Sequence, residues 1–422
     1  MCRAAGAVKP CGAQIGGHRT SEAPARDTLT ARVGRGNIFE GGGGMDPEER
    51  LYAALGGEKT DRIATLSLLS DPHLINQVLG RKRMPVLGYL ASEHGGRFVE
   101  RHNRGINRFF NPAMYAFANS SVKASNQLGF DGIWMGYWRL GIRNRSELEE
   151  AFGRLFAIAD DGYGNAYMMY KSGLIESPEQ WRAYPRPGIA AYAQSSANLF
   201  RFLRRLYKGK IAIAAFIGPG VWENSWQPMS FASFVGLLRR DPDFAREVID
   251  YFRAVAVATV DACGRAGARV MGLGEDLAYK SGPMLSPAML EDFFGDSYRQ
   301  ITATAHRHGA RIYIHCCGNS YELLDKFVEW GFDGAHAFEP TAGNDLAAAR
   351  EKVGDKLCII GNIDISHVLV DGTREEVEDA VEKAVRDSAG GGFILAPTHT
   401  SAEISIRNTR WMLEASRRVS AR

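Results

Sequence analysis

The chain has 422 residues, of which 45% are hydrophobic and 23% charged, the composition of an ordinary soluble globular protein. A formal net charge of only +3, with no dense basic run, argues against nucleic-acid binding, and no apolar run approaches the ~20 residues of a membrane span. Six cysteines in so long a chain make no disulfide framework, so we predict a cytoplasmic protein.

The first 44 residues show no hydrophobic periodicity and are rich in glycine, alanine and arginine. They also lack the apolar core that a signal peptide requires. A helical pattern begins only at Met45, with Leu51 and Leu55 on one face. We therefore interpret residues 1–44 as a disordered tail, or as the product of a translation start assigned too far upstream. One folded domain is expected over 45–422, opening with an N-terminal helical extension.

Short β-type segments alternate with amphipathic helices through much of the chain, a pattern typical of parallel βα units. The eight predicted strands cover residues 62–69, 130–138, 210–220, 268–276, 310–319, 332–340, 356–364 and 391–400. No GxGxxG motif follows the first strand, so the count favours an α/β TIM (β/α)8 barrel over a dinucleotide-binding fold. Residues 154–173 predict a β-hairpin inserted between the second and third strands.

Polar and ionisable side chains stand at the carboxyl ends of the later strands, where the active site of a TIM barrel lies. They are Glu275, Asp276, His315, Cys317, Glu339, Asn362, Asp364 and His399. Such groups are costly to bury, so a functional site explains them better than stability does. Glu275 and Asp276 could be an acid/base pair, with a structural role, either helix capping or ordering of Tyr279-Lys280, as the alternative. His336, inside the sixth strand, is better explained as a buried, hydrogen-bonded histidine than as a ligand.

The stretch IYIHCCGN predicts half of a metal site. His315 and Cys317 share one face of their strand because successive side chains alternate, and Cys316 faces the other side as a small hydrophobic residue. Together with His399 across the barrel mouth they would form a zinc triad. Glu339 could be a fourth ligand that a substrate displaces. Simple packing is the alternative explanation for the His-x-Cys pattern.

Five sequence motifs resemble those of a known group of proteins. GEDLAYKSGPMLSPAML, IHCCGN, GFDGAHAFEP, IIGNIDISHVLVDGTREEV and GGFILAPTHT, in this order and spacing, resemble the uroporphyrinogen decarboxylase superfamily. The resemblance is strong over 260–420 and weak over 45–260, and it implies a TIM barrel. Uroporphyrinogen decarboxylase itself has an arginine-containing motif near its N-terminus. The corresponding TDRIATLSLLSD lacks that motif, which implies that porphyrinogen decarboxylation is not the activity.

The metal motif resembles a second branch of the superfamily, the methylcobamide:coenzyme M methyltransferases and related corrinoid-dependent enzymes. That branch has His-x-Cys on one strand and a cysteine after the last strand; His315 and Cys317 match, and His399 replaces the cysteine. The resemblance implies a zinc-dependent methyltransferase acting between a corrinoid, carried by a separate protein, and a small-molecule donor or acceptor. His399 also resembles the Gly-His-Gly of the metal-free decarboxylases. A metal-independent decarboxylase or lyase is therefore the alternative.

The resemblance also suggests roles for individual side chains. Asp276 would orient the substrate or move a proton, and Glu275 and Glu339 are further catalytic candidates. Six residues are predicted to line the substrate pocket: Tyr279, Asn319, Asn362, Asp364, Trp134 and Tyr137. Trp134 and Tyr137 could stack on an aromatic methyl ether, although core packing is the better explanation for Trp134. A non-enzymatic corrinoid- or metal-binding protein is disfavoured by the acid–base groups around the mouth. The sequence leaves open the methyl donor, the acceptor, the direction of transfer and the oligomeric state, a homodimer included.

Overall fold

Strands and the helices that cover them account for most of the structure, a computed structural model that describes residues 44–81, 110–144, 146–160, 163, 165–218, 220–389 and 391–420. The strands, numbered in chain order, are β1 (Ala64–Ser67), β2 (Gly132–Gly136), β3 (Leu140–Asn144), β4 (Glu147–Glu150), β5 (Arg154–Asp160), β6 (Ala166–Gly173), β7 (Ala212–Ile217), β8 (Val270–Gly274), β9 (Ala278–Tyr279), β10 (Gly282–Pro283), β11 (Arg311–Cys316), β12 (Gly334–Ala337), β13 (Cys358–Ile363) and β14 (Phe393–Pro397).

The helices of the described residues are numbered in the same way. They are α1 (Pro47–Leu55), α2 (Pro72–Leu79), α3 (Phe110–Leu128), α4 (Pro178–Ala183), α5 (Ile189–Tyr207), α6 (Val221–Trp226), α7 (Phe231–Arg240), α8 (Pro242–Arg265), α9 (Pro287–Leu290), α10 (Asp296–Arg307), α11 (Leu324–Glu329), α12 (Leu346–Val353), α13 (Arg374–Asp387) and α14 (Ile406–Ser420). A π-helical segment, Glu291–Gly295, joins α9 to α10. None of the helices in the described parts of the chain has both the length and the apolar character needed to cross a membrane.

Eight parallel strands close into a barrel in the order β1-β14-β13-β12-β11-β8-β7-β2. Each lies inside one of the eight predicted segments, so the predicted TIM barrel is confirmed. In the ladder, His315 of β11 pairs with Gly274 of β8 on one side and with His336 of β12 on the other. This register places the two histidines side by side in one layer near the carboxyl ends of the strands.

The insertion between β2 and β7 is a four-stranded antiparallel sheet in the order β3-β4-β5-β6. The predicted hairpin over 154–173 is confirmed as β5 and β6, and part of its turn lies outside the described residues. Strands β3 and β4 were not predicted, because the sequence of β4, Glu-Leu-Glu-Glu, has a single apolar residue. A buried ion pair between Glu150 and Arg154, 3.1 Å apart, joins β4 to β5.

Helix α1 covers the amino end of the barrel. Asp46 and Glu49 form a capping box at its start, and Pro47 occupies the first helical turn. Leu51 and Leu55 are buried among the first residues of several barrel strands, in the cluster that fills the barrel interior. The predicted helical extension is therefore confirmed. Its leucines close the amino end of the barrel interior. The predicted tail falls almost entirely outside the described residues, which begin at Gly44.

Candidate metal centre at the barrel mouth

Three side chains with metal-binding atoms meet at the carboxyl end of the barrel. His315 is the penultimate residue of β11, Cys317 directly follows that strand, and His399 lies two residues beyond β14. Their ligand atoms all lie within 4.8 Å of one another. β12 and β13 separate β11 from β14, so the closure of the barrel brings the histidine of the last strand to the other two residues.

The donor set fits a zinc ion. Two imidazoles and one thiol are the nitrogen and sulfur ligands that tetrahedral zinc prefers, and three protein ligands leave one position for a substrate or water. His399 Nδ1 lies 3.1 Å from the carbonyl oxygen of Thr400. That hydrogen bond places the proton on Nδ1 and leaves Nε2 as the ligand atom. His315 Nε2 lies 3.4 Å from Cys317 Sγ, so both atoms face the same point.

Burial keeps the histidines of this layer neutral. Loss of hydration, with a further contribution from nearby His399, lowers the pKa of His315 to about 3. Burial and then the neighbouring His315 also lower the pKa of His336 well below its ordinary value. A neutral imidazole has a free lone pair at one nitrogen. His315 is thus ready to act as a ligand at neutral pH.

A tight turn after β11 explains the glycine of IYIHCCGN, Gly318. Gly318 has a φ of +78°, and a Cβ built on it would lie 2.6 Å from the backbone carbonyl of Tyr279. The N–H of Asn319 donates to the carbonyl oxygen of Tyr279 at 2.8 Å, and Asn344 Nδ2 donates to that of Gly318, also at 2.8 Å. The backbones of Tyr279 and Asn319 therefore hold the turn that carries Cys317.

Asp276 lies next to the cluster. Its Oδ1 accepts a hydrogen bond from the N–H of Cys317 at 2.9 Å and lies 3.8 Å from His315 Nε2. The carboxylate is 29% exposed, so it is open to the barrel mouth. Asp276 can therefore fix the ligand-bearing turn and still reach a bound molecule.

Glu275 points away from the mouth and caps a helix. It is fully buried, and its carboxylate accepts hydrogen bonds from the N–H groups of Val221, Trp222 (3.0 Å) and Glu223 (3.3 Å) at the start of α6. Burial raises the pKa of Glu275 to about 8, against the opposing effect of these donors. Of the two alternatives that the sequence left open for Glu275, the structure supports helix capping.

Glu223 was missed by the sequence reasoning. Loss of hydration, followed by the charges of Asp276 and Glu275, raises the pKa of the Glu223 carboxyl group well above its ordinary value. Its Oε1 accepts a hydrogen bond from Gln227 Nε2 at 2.8 Å. A signal for Glu223 was present in the sequence, because Glu-Asn-Ser follows the third barrel strand closely. Glu223 was missed because it lies on α6 and not at the tip of the strand.

The other strand-end residues hold the backbone. Glu339 does not belong to the group of clustered ligand atoms, and its Oε1 accepts from the Thr341 hydroxyl at 3.0 Å. Asn362, with a φ of +114°, donates from Nδ2 to the carbonyl oxygen of Phe338 at 2.7 Å. The Asp364 carboxylate accepts hydrogen bonds from three successive N–H groups that begin at Ser366. These contacts support the mouth and give no fourth ligand from Glu339.

The two aromatic candidates of β2 lie in different layers. The Trp134 ring packs on those of His315 and His336, with centroids 4.9 and 5.9 Å apart, and contacts Phe216 at 4.1 Å. The Trp134 ring thus borders the candidate metal centre on its inner side. Tyr137 is buried between the barrel and the helices, where its carbonyl oxygen accepts a hydrogen bond from the Tyr192 hydroxyl at 3.1 Å. The structure therefore does not bring Tyr137 to the predicted pocket.

A closed parallel barrel with ionisable groups at its carboxyl end is the architecture of TIM-barrel enzymes. The family model for uroporphyrinogen decarboxylase (URO-D) matches residues 169–419, more than half of the chain. The chain belongs to the uroporphyrinogen decarboxylase family, and the predicted superfamily is confirmed.

One solved structure of low sequence identity shares the fold. A methyltransferase from Methanosarcina mazei superposes with a TM-score of 0.62 and 15% identity, over 89% of this chain and 99% of that one. A B12-independent methionine synthase from Shewanella sp. W3-18-1, in complex with selenomethionine, gives 0.47 and 12% identity, over 74% and 87%. Comparison with curated proteins gives no significant match.

Proposed function

We propose that this chain is a zinc-dependent methyltransferase that moves a methyl group between a corrinoid and a small molecule. The observation that carries the proposal is the meeting of His315, Cys317 and His399, whose ligand atoms lie within 4.8 Å of one another. This donor set suits a catalytic zinc with one exchangeable position. Membership of the family and a fold shared with a methyltransferase are consistent with the proposal.

Each side chain around the cluster has a part in this chemistry. Bound zinc would act as a Lewis acid that favours deprotonation of a coordinated thiol or polarises a bound oxygen. Asp276 holds the backbone of Cys317 and faces the mouth, so it would orient the substrate. Glu223 would keep a proton available beside Asp276. The Trp134 ring would keep water from the inner side of the cluster.

We place the corrinoid on a separate protein that docks over the barrel mouth, as in the corrinoid-dependent branch that the metal motif resembles. The cluster lies at the carboxyl end of the barrel, where a partner could reach it without unfolding the chain. His399 in place of a thiolate ligand makes the centre more positive and a stronger Lewis acid. The methyl acceptor or donor is a small molecule, and its identity is open.

Metal analysis of the purified protein, produced with zinc supplied, tests the proposal. We expect about one zinc per chain, lost in Cys317→Ala and in His399→Ala. Cys316→Ala is the matched control, because Cys316 is the adjacent thiol but packs in the layer between barrel and helices. Transfer of the methyl group from methylcobalamin should follow zinc content across the four proteins. Absence of zinc from the wild type, or its retention in Cys317→Ala, would overturn the proposed metal centre.

A metal-independent decarboxylase or lyase is the second candidate. The observation in its favour is the group of three carboxyl side chains, Glu223, Glu275 and Asp276, two of which have raised pKa values. Of the three, Asp276 faces the mouth and Glu223 lies beside it, and a protonated carboxyl group there would suit the protonation of a carbanion left by loss of carbon dioxide. Such an enzyme should keep its activity on carboxylated substrates in Cys317→Ala, whereas the methyltransferase should not.

A further inference from the structure

His336 lies next to the candidate metal cluster, on the strand beside His315. It is almost fully buried, so contact with solvent does not explain why a polar side chain stands there. It is 1% exposed and pairs with His315 across β11 and β12. The two Nδ1 atoms are 2.6 Å apart, and the rings meet edge to edge, with centroids 4.9 Å apart and planes inclined by 28°. On its far side, His336 Nε2 lies 3.3 Å from the carbonyl oxygen of Pro397, two residues before His399.

These contacts allow one arrangement of protons on the two neutral rings. The carbonyl of Pro397 can only accept, so His336 Nε2 must carry a hydrogen, and its Nδ1 is then an acceptor. Two hydrogens cannot face each other across 2.6 Å, so the proton between the rings belongs to His315 Nδ1. The lone pair of His315 is therefore at Nε2, the atom that lies 3.4 Å from Cys317 Sγ.

We propose that His336 is a positioning residue of the metal centre, which holds His315 in the Nδ1–H tautomer and directs its Nε2 toward the metal. The inference rests on the proposed function for its consequence, although the tautomer itself exists without a metal. Since a ligating histidine commonly donates its other N–H to a fixed acceptor, loss of that acceptor weakens metal binding by about 10- to 100-fold. The use of a second imidazole as acceptor also links β11, β12 and β14, the strands around all three ligands.

Two substitutions separate this role from simple packing. His336→Leu introduces an apolar side chain of similar size and removes the acceptor, whereas His336→Asn can present Oδ1 near the place of Nδ1. His308→Leu is the control, because His308 is hydrogen-bonded to Asp261 at the end of α10, away from the cluster. Zinc affinity would be measured by competition with a chromophoric chelator. Nitrogen NMR of the metal-free protein with labelled histidine would give the tautomer of His315, and thermal unfolding would show that each variant folds.

We expect the Nδ1–H tautomer at His315 in the wild type, zinc binding about 10- to 100-fold weaker in His336→Leu, and partial recovery in His336→Asn. His308→Leu should bind zinc as the wild type does. An Nε2–H tautomer at His315, or wild-type affinity in folded His336→Leu, overturns the inference. If the wild type binds no zinc, the proposed function fails, and the tautomer alone then decides whether His336 orients His315.

Discussion

Gly318 shows how a single residue sets the position of a ligand. Its φ of +78° is unfavourable for any side chain, and the backbone of Tyr279 fills the space where a Cβ would stand. The adjacent Cys317 must project its thiol toward His315 while its own N–H reaches Asp276. The turn therefore determines both contacts of the cysteine, which explains why a glycine follows it.

Replacement of Gly318 by alanine should damage both stability and the site. Gly309→Ala is the matched control, because Gly309 also has a positive φ (+66°) but has no atom within 4 Å of its would-be Cβ. We expect the free energy of unfolding to fall by about 1 kcal/mol in the control, from backbone conformation alone. It should fall by about 3 kcal/mol in Gly318→Ala, where the backbone must also move. Urea unfolding measures both losses. Equal losses would show that the contact with Tyr279 does not constrain the turn.

At the scale of elements, the inserted sheet and the barrel mouth are joined by a chain of polar contacts. Arg154, 1% exposed, pairs with Glu150 and donates from Nη1 to Gln227 Oε1 at 3.0 Å. Gln227 in turn donates to Glu223, the carboxyl group beside Asp276. The insertion thus contributes a buried cation near α6, and the attraction of the Arg154 charge opposes the rise in the pKa of Glu223.

Removal of that cation should be far more costly than removal of an exposed one. Arg154→Ala leaves Glu150 buried and unpaired, for which we expect a loss of about 3–5 kcal/mol in the free energy of unfolding. Arg246→Ala is the control, because Arg246 is 45% exposed in its pair with Asp292 and should cost only about 0–1 kcal/mol. Chemical denaturation would compare the variants. A loss below about 1 kcal/mol in Arg154→Ala would mean that the insertion is not held by this pair.

At the scale of the whole molecule, the barrel and the three clustered side chains could be predicted from the sequence. The contacts that surround the cluster could not. Runs of β-type residues between capped helices identify strands such as β11 without knowledge of their neighbours. The contact between His315 and His336 depends on the register of two strands, which local patterns do not specify. Trp134 and Tyr137 were predicted to share a pocket, but they are three residues apart, and the alternation of side chains along an extended strand places such residues on opposite faces. Tyr137 accordingly packs with Ile133 in the layer between barrel and helices, whereas Trp134 faces the barrel interior.

The amino end of the barrel gives a prediction about the whole chain. Leu51 and Leu55 of α1 are almost fully buried in the barrel interior, and Arg50 donates to the carboxylates of Asp61 and Asp131 at 2.6 Å each. A leucine-to-alanine substitution in such a core costs about 2–5 kcal/mol, and a domain has only about 5–15 kcal/mol in total. We therefore expect that the barrel does not fold without α1.

Two shortened chains test this expectation. A chain that begins at Met45 should unfold at the same temperature as the full chain and bind the same amount of zinc, because α1 and its cap begin at Asp46. A chain that begins at Glu58 should show no cooperative unfolding transition, since the barrel interior would be open to water at its amino end. Leu51→Ala should fall between them. A lower unfolding temperature for the Met45 chain would show that residues 1–44 contribute to the folded state, contrary to the interpretation of that segment as a tail or a misplaced start.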